Sequence, residues 1–335
     1  MAKYRDSLPQ LGGALFLTDG GIETTLIFRE RQALPDFAAF HLLQTAPGFE
    51  ALRKYFRSYA EIARRFGTGL ILESATWRAS ADWGTRLGYT AQALAQANYS
   101  AIRLLEEVRH EHESCESGQS DEYDQTALVI SGCIGPRGDG YVPAQRMSEQ
   151  QAESYHRTQV EIFADSAADM LCAITMNYAE EAVGIARAAR EAHMPLAISF
   201  TVETDGKLPT GQTLQAALAQ VERGTENYPS YYMINCAHPS HFSHVLASGG
   251  TWLERLHGLR ANASRKSHAE LNESAELDDG NPVELGAQYA ALRKILPHLN
   301  VMGGCCGTDQ RHIEQIAVAC LPLFQQTRTA STVRR

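Results

Sequence analysis

The chain has 335 residues and a formal net charge of −9, with 44% hydrophobic and 21% charged residues. This composition is that of a folded globular protein and is too apolar for a disordered one. The acidic balance excludes a general phosphate-backbone binder, which needs a basic surface. Because no apolar run reaches the roughly 20 residues that cross a bilayer and the N-terminal MAKYRDSLPQLGG lacks a signal-peptide core, we expect a cytoplasmic protein without nucleic-acid or membrane partners.

Eight short apolar runs recur along the chain, and a turn and a stretch of helical periodicity follow each of them. Such uninterrupted runs are typical of parallel strands that are buried on both faces. Eight β–α units without an internal linker predict an α/β fold, a single-domain (β/α)8 TIM barrel over residues 1–325, with a flexible tail over 326–335. A doubly wound sheet with an extra subdomain is the alternative. The predicted strands cover residues 15–18, 69–72, 127–131, 170–174, 196–200, 231–235, 252–259 and 300–303.

Start and stop signals mark the helices between these strands. Apolar residues over 49–66 lie at helical spacing, and Gly67 follows them as a stop. Ser148 and Gln151 have the spacing of a capping box, which predicts a helix that begins there. Asn281 precedes a proline and predicts the start of another helix.

Two polar insertions interrupt the alternation of strands and helices. Residues 110–125 precede the third predicted strand, which places them at the amino ends of the strands, on the face of the barrel opposite the predicted catalytic face. Residues 262–281 follow the seventh predicted strand, so we expect them at the catalytic face. Long loops are uncommon unless they are functional or disordered.

Three cysteines follow the ends of predicted strands that lie far apart in the sequence. Cys236 ends the sixth strand, and Cys305 and Cys306 come just after the eighth, so all three would share one rim of a barrel. Three thiolates suit a soft tetrahedral metal, and zinc is the natural choice. Three protein ligands leave a fourth position open for a substrate thiol, which the metal deprotonates. The predicted chemistry is attack of that thiolate on an activated methyl or alkyl carbon, without a further catalytic side chain.

Other readings of the cysteines and of the histidines near them stay open. A vicinal disulfide or a redox pair is the alternative for Cys305 and Cys306, whose flanking glycines allow a tight turn. The remaining cysteines are predicted to be small core residues: Cys115, Cys133, Cys172 and Cys320. Three histidines after Cys236 do not share one narrow helix face and are interpreted as helix-face residues: His238, His241 and His244.

Five segments together resemble the homocysteine S-methyltransferase family: LTDGGIETTL, ISGCIGPRGDGY, SFTVETDGKLPTGQTL, INCAHP and VMGGCCGTDQRHI. The resemblance extends over about residues 15–317. It implies a zinc-dependent (β/α)8 barrel that methylates a thiol amino acid from donors such as S-methylmethionine or betaine. By this resemblance the zinc ligands are Cys236, Cys305 and Cys306, and the substrate-binding residues include Asp19, Gly20, Gly21, Thr24 and Asn235.

One departure from the family concerns the ammonium group of the substrate. After the fourth strand the family usually places a glutamate that helps to hold this group, whereas the aligned residue here is Ile174. An aliphatic side chain cannot pair with an ammonium ion. Either another acid, namely Asp19, Glu23 or Glu73, supplies the contact, or the accepted thiol is not an ordinary α-amino acid.

A second departure is Arg78, which stands where related proteins carry an uncharged polar or aromatic residue. An arginine there is suited to bind a substrate carboxylate in a bidentate manner, and an ion pair with a nearby acid is the alternative. Three aromatic residues near the predicted rim either attract a cationic methyl donor by cation–π interaction or only pack: Trp77, Trp83 and Tyr178.

The leading hypothesis is therefore a zinc-dependent S-methyltransferase with two small-molecule partners, a thiol acceptor such as homocysteine and a sulfonium or ammonium methyl donor, in methionine biosynthesis. A second hypothesis keeps the fold and the metal but replaces the acceptor with a thiol that lacks the α-amino group. A third is a non-catalytic barrel that binds zinc or senses redox state. The sequence names neither the donor nor the oligomeric state, and a homo-oligomer stays open.

Overall fold

The computed structural model describes residues 1–116, 126–274 and 276–332. Within these residues eight strands close into a barrel, in sequence order, and each strand runs parallel to both of its neighbours. The predicted (β/α)8 barrel is thus confirmed. The strands are β1 Phe16–Thr18, β2 Gly69–Glu73, β3 Leu128–Ile134, β4 Met170–Met176, β5 Leu196–Thr201, β6 Tyr231–Asn235, β7 Leu256–Ala261 and β8 Val301–Gly304.

Helices surround the barrel and connect consecutive strands. The capping signals act as predicted, because Ser148 and Gln151 form a full capping box and the Asn281 side chain accepts hydrogen bonds at the start of its helix. The helices are α1 Ile22–Thr24, α2 Ala46–Phe66, α3 Ala81–Arg86, α4 Ala91–Glu116, α5 Glu149–Ala164, α6 Ala179–Glu191, α7 Leu214–Thr225, α8 Pro239–Ala247, α9 His268–Asn272, α10 Pro282–Ile295 and α11 Gln310–Thr332.

The seventh strand lies further along the chain than its predicted range of 252–259. A 3-10 helix occupies Thr251–Arg255, and β7 begins only at Leu256 and continues to Ala261. The prediction counted Trp252 and Leu253 as strand residues because they are apolar, but a short helix also buries one of them, Leu253. The shift matters because it brings Arg260 inside the strand.

The hydrophobic core has two parts. One lies between the barrel and the surrounding helices, and the other fills the barrel interior with side chains such as Phe16, Val129 and Met233. Cys133 and Cys172 belong to the interior and Cys320 to the outer part, and all three are free thiols, as predicted. The side chain of Cys115 lies outside the described part of the structure.

The structure describes part of each polar insertion and part of the C-terminal segment. Residues 110–116 continue α4, and the rest of the first insertion, 117–125, lies outside the described residues. The second insertion leaves β7 at the carboxyl-end rim and contains α9. Helix α11 runs to Thr332, while a flexible tail over 326–335 stays a prediction. In the described residues no helix is both long and apolar enough to cross a membrane.

Candidate metal and substrate site

The three predicted metal ligands converge at the carboxyl ends of the strands. Cys236 follows β6, and Cys305 and Cys306 follow β8. Their sulfur atoms all lie within 4.8 Å of one another, and the Sγ atoms of Cys236 and Cys306 are 3.5 Å apart. Residues that are about 70 positions apart in the sequence therefore form one cluster.

Strand β7 holds the two cysteine segments side by side. The Cys236 amide donates a hydrogen bond to the Arg260 carbonyl at 3.0 Å, and the Cys305 amide donates one to the Ala261 carbonyl at 2.9 Å. Cys236 has a φ of +56°, and Gly307 has a φ of +80°. The chain thus leaves the regular strand geometry at both segments, which lets two adjacent cysteines face one point although strand neighbours would face opposite ways.

The donor set fits a thiophilic metal ion. The three cysteines are free thiols, and sulfur is the ligand type that zinc and similar soft metals prefer. Hydrogen bonds from Cys236 and Cys306 lower the pKa of the Cys305 thiol, while hydrogen bonds with neighbouring thiols and burial raise the pKa values of Cys236 and Cys306. The cluster therefore favours ionisation of Cys305 over that of Cys236 and Cys306.

The glycine-rich segment after β1 packs against the cysteine turn. A Cβ atom on Gly21 would lie 2.5 Å from the Cys305 carbonyl oxygen, so only glycine permits this approach. Thr24 joins the two segments, because its hydroxyl donates a hydrogen bond to the Gly21 carbonyl and accepts one from the Gly307 amide, each at 3.1 Å. Thr24 therefore supports the site in addition to lining it.

Arg260 is the shared ion-pair partner of two of the carboxylates considered above for substrate binding. Its guanidinium forms ion pairs with Asp19 and with Glu73, and all three side chains are buried. Burial raises the pKa of Asp19 to about 6, against the opposing effect of Arg260. The sequence analysis missed Arg260, although an arginine that follows a buried apolar run requires buried counter-charges.

A cavity opens beside the cysteines. Ile174, which replaces the expected glutamate, lies in its wall, as do Glu23 and Glu73. The predicted site residues that line it are Asp19, Gly20, Gly21, Thr24, Cys236, Cys305 and Cys306.

Asn235 lies under the cysteine cluster and does not line this cavity. Its amide oxygen accepts hydrogen bonds from the Thr175 amide at 3.0 Å and from the Ser199 hydroxyl at 2.7 Å. Its amide nitrogen lies 3.9 Å from the Sγ atom of Cys305 and donates to the Thr175 hydroxyl. Asn235 thus positions a ligand and holds Thr175 at a φ of +62°.

Arg78 lies behind the cavity wall, with its guanidinium over the rings of Trp77 and Trp83 at 4.5 and 3.7 Å from the ring centroids. Its Nε and Nη1 atoms are buried, and they have no hydrogen-bond partner among the described residues. The predicted alternative, a rim ion pair, is therefore not formed within that part of the chain. Of the three predicted aromatic residues, Trp77 lines the cavity, whereas Tyr178 lines a neighbouring surface hollow.

Two further residues of the site escaped the sequence analysis, Tyr141 and His268. The Tyr141 hydroxyl lies 2.8 Å from the Sγ atom of Cys236, and the His268 ring nitrogen Nε2 bonds to the Cys236 carbonyl. Their rings pack against each other with centroids 4.1 Å apart. They lie on the loops after β3 and β7, where no local motif announces a role, so only their position in space reveals them.

The model of the family described as homocysteine S-methyltransferase matches residues 16–320. The chain belongs to this family. As a member it is an enzyme, a thiol S-methyltransferase of the homocysteine class. Among curated protein sequences, no significant match to the chain is found.

Solved structures of the homocysteine methyltransferase MmuM from Escherichia coli are similar to this S-methyltransferase family member. The oxidized form gives a TM-score of 0.70 at 18% identity, over 91% of this chain and 96% of that one. The metallated form gives 0.68 at 18% identity with the same coverage, and the apo form gives 0.61 at 16% identity over 92% and 96%. At this level of identity the likeness supports the fold.

Proposed function

We propose that this family member transfers a methyl group from a sulfonium or ammonium donor to the thiol of homocysteine, with a zinc ion held by Cys236, Cys305 and Cys306. The observation that carries the proposal is the convergence of three free cysteine sulfurs within 4.8 Å at the wall of a closed-barrel cavity. The product would be methionine. Free thiols at this site require a reducing compartment such as the cytoplasm.

Zinc would lower the pKa of the acceptor thiol, so that the acceptor reacts as a thiolate at neutral pH. The chain's own residues prepare the sulfur cluster for that charge. The Tyr141 hydroxyl lies within hydrogen-bond distance of the Cys236 sulfur, and the Asn235 amide nitrogen lies 3.9 Å from the Cys305 sulfur. The positive charge of Arg260 lowers the pKa of Cys305 as well, after the effects of the neighbouring thiols.

The cavity wall suits a cationic methyl donor. Trp77 and Tyr141 both line it, and aromatic faces attract sulfonium and quaternary ammonium groups. In the transfer, the bond between the methyl carbon and the donor heteroatom breaks, and its electron pair stays with the donor. The acceptor sulfur supplies the pair for the new bond, so the donor heteroatom loses its positive charge.

The remaining predicted substrate residues divide into two groups. Gly20 and Gly21 offer backbone groups to the cavity, whereas Asp19 holds this segment in place through its ion pair with Arg260 and a 3.0 Å hydrogen bond from Tyr55. Arg78 does not itself line the cavity, but its buried Nε and Nη1 atoms have no hydrogen-bond partner among the described residues, which suits a substrate carboxylate.

The experiment is metal analysis of three single variants, Cys236→Ser, Cys305→Ser and Cys306→Ser. We expect each purified variant to lose zinc, measured as metal per chain, and to lose methionine formation from homocysteine, measured by mass spectrometry with a panel of donors. Cys320→Ala is the matched control, because this buried cysteine lies in the outer core, and it should keep both. A full complement of zinc in Cys305→Ser or Cys306→Ser would contradict the proposal.

One observation favours a second candidate acceptor. Ile174 is buried in the cavity wall, so an apolar surface stands where an acceptor's ammonium group would need a charge. The candidate is a thiol acid without an α-amino group. A screen of thiol acceptors separates the two, since turnover of homocysteine as efficient as that of any other thiol excludes the second candidate.

A further inference from the structure

Three glutamate or aspartate side chains among the described residues line the cavity, and two of them form ion pairs with the same arginine. Asp19 pairs with Arg260 and accepts a hydrogen bond from Tyr55. Glu73 pairs with the same arginine and accepts a 2.8 Å hydrogen bond from the Ser131 hydroxyl. Both carboxylates therefore already have a cation and a hydrogen-bond donor as partners, although they share the single positive charge of Arg260.

The third carboxylate, Glu23, has no such partner in the part of the chain that the structure describes. It lies on α1, in the segment that packs against the cysteine turn, and it lines the same cavity as the three sulfurs. In the described part of the chain it forms no ion pair and no hydrogen bond with another residue. Burial raises its pKa to about 7, since desolvation penalises its charged form. An unpaired carboxylate in such surroundings is costly for stability and typical of functional sites.

The charges around Glu23 do not compensate it. Cys305 and Asp19 oppose its ionisation, and Arg78 is the cation that favours it. Arg78 makes no ion pair within the described residues, and its guanidinium is held against tryptophan rings instead. Ile174 adds an apolar wall. A ligand that brings a positive charge to Glu23 would therefore stabilise the ionised form of this carboxylate.

We propose that Glu23 binds the ammonium group of an α-amino-acid thiol and thereby determines the specificity for the acceptor. This inference rests on the proposed function. A primary ammonium group suits Glu23 because it donates N–H hydrogen bonds to a carboxylate, which a sulfonium or quaternary ammonium group does not do. Charge-assisted hydrogen bonds of this kind are stronger than neutral ones, so the preference should be large.

The test compares two thiols that differ only in the α-amino group, homocysteine and 4-mercaptobutyrate. Calorimetric titration of the zinc-loaded protein measures the dissociation constant of each. We expect Glu23→Gln to weaken homocysteine binding about 10- to 100-fold and to leave 4-mercaptobutyrate binding unchanged within about threefold. Glu30→Gln is the matched control, because Glu30 pairs with Lys54 outside the cavity, and it should behave as the wild type.

Stability measurements show whether the variant is folded. Because Glu23→Gln removes an unpaired charge, its thermal unfolding temperature should equal or exceed that of the wild type. Glu23→Asp keeps the charge and should retain part of the preference for homocysteine.

The other outcomes overturn the inference or separate it from the proposed function. Equal weakening of both thiols, no weakening of either, a change confined to the KM of the methyl donor, or a wild type without preference for homocysteine would each overturn it. If no donor supports methyl transfer but the preference for homocysteine still depends on Glu23, the proposed function fails and the role of Glu23 stands.

Discussion

At the scale of single residues, the cysteine cluster depends on neighbours that touch it from outside the ligand set. The Tyr141 hydroxyl forms a hydrogen bond with the Cys236 sulfur, and the Asn235 amide nitrogen lies 3.9 Å from the Cys305 sulfur. Hydrogen bonds to a thiolate stabilise its negative charge and orient it. Groups that support ligands in this way commonly change metal affinity by about 10- to 100-fold when they are removed.

Tyr141→Phe removes one oxygen atom and should therefore weaken metal binding. We expect zinc affinity to fall about 10-fold or more, measured by competition with a chromophoric chelator, while the fold is retained. Tyr155→Phe is the control, since the Tyr155 hydroxyl bonds to Ser80 and not to the cluster. Unchanged zinc affinity in Tyr141→Phe would show that its contact with Cys236 is incidental.

At the scale of secondary-structure elements, one short helix contributes to the site, while the long helices surround and stabilise the barrel. Helix α9 has only five residues, and a capping box of Ser267 and Glu270 holds its start. It carries His268, which bonds to the Cys236 carbonyl and packs on Tyr141. Isolated helices of this length are unstable, so its order depends on the cap and on these contacts.

Two capping boxes allow a matched comparison of α5, which supports the barrel, with α9, which lies at the site. Ser148→Ala uncaps α5, a helix of 16 residues, and should lower the free energy of unfolding by about 0.5–2 kcal/mol without changing the KM for the acceptor. Ser267→Ala should change the unfolding free energy by less than about 0.5 kcal/mol, because α9 is short and exposed.

The same Ser267→Ala variant should raise the KM for homocysteine, because a frayed α9 releases His268 from the Cys236 segment. Urea unfolding and steady-state kinetics on both variants check the two expectations. A large loss of stability with unchanged kinetics in Ser267→Ala would show that α9 stabilises the fold and does not act at the site.

At the scale of the whole molecule, Arg260 ties together strands that are distant in sequence. From β7 it reaches Asp19 after β1 and Glu73 on β2, and its Nε donates to the Gly304 carbonyl of β8 at 3.1 Å. The barrel closes between β8 and β1, so this network spans the closure. All three side chains of this network also line the cavity.

Arg260→Met should destabilise the protein by about 3–5 kcal/mol, because it leaves two buried carboxylates without a counter-charge. Denaturant unfolding measures this change. Arg64→Met is the control, since the exposed pair of Arg64 with Glu61 is worth at most about 1 kcal/mol.

Adding Asp19→Asn and Glu73→Gln to Arg260→Met should recover part of the lost stability, as the unpaired charges disappear with the arginine. A triple variant as unstable as the single one would attribute the loss to packing and not to charge.

The architecture of this enzyme was accessible from the sequence because its signals are local. Apolar runs, caps and stops act over a few residues, and eight such units favour one closed barrel. The cysteine cluster was accessible for a related reason, since the carboxyl ends of parallel strands meet at one rim. The start of β7 was misplaced because an apolar run does not distinguish a strand from a short helix.

The electrostatics of the cavity became evident only in the tertiary structure. Arg260 pairs with Asp19 and Glu73 across 241 and 187 residues of sequence, and these pairs leave Glu23 as the cavity carboxylate without an ion-pair partner among the described residues. The sequence analysis considered all three acids alike, because charge pairing depends on distances between side chains and no periodicity encodes them. The closure of the barrel brings Arg260 to Asp19 and Glu73, and it thereby determines which acid is available to bind a substrate.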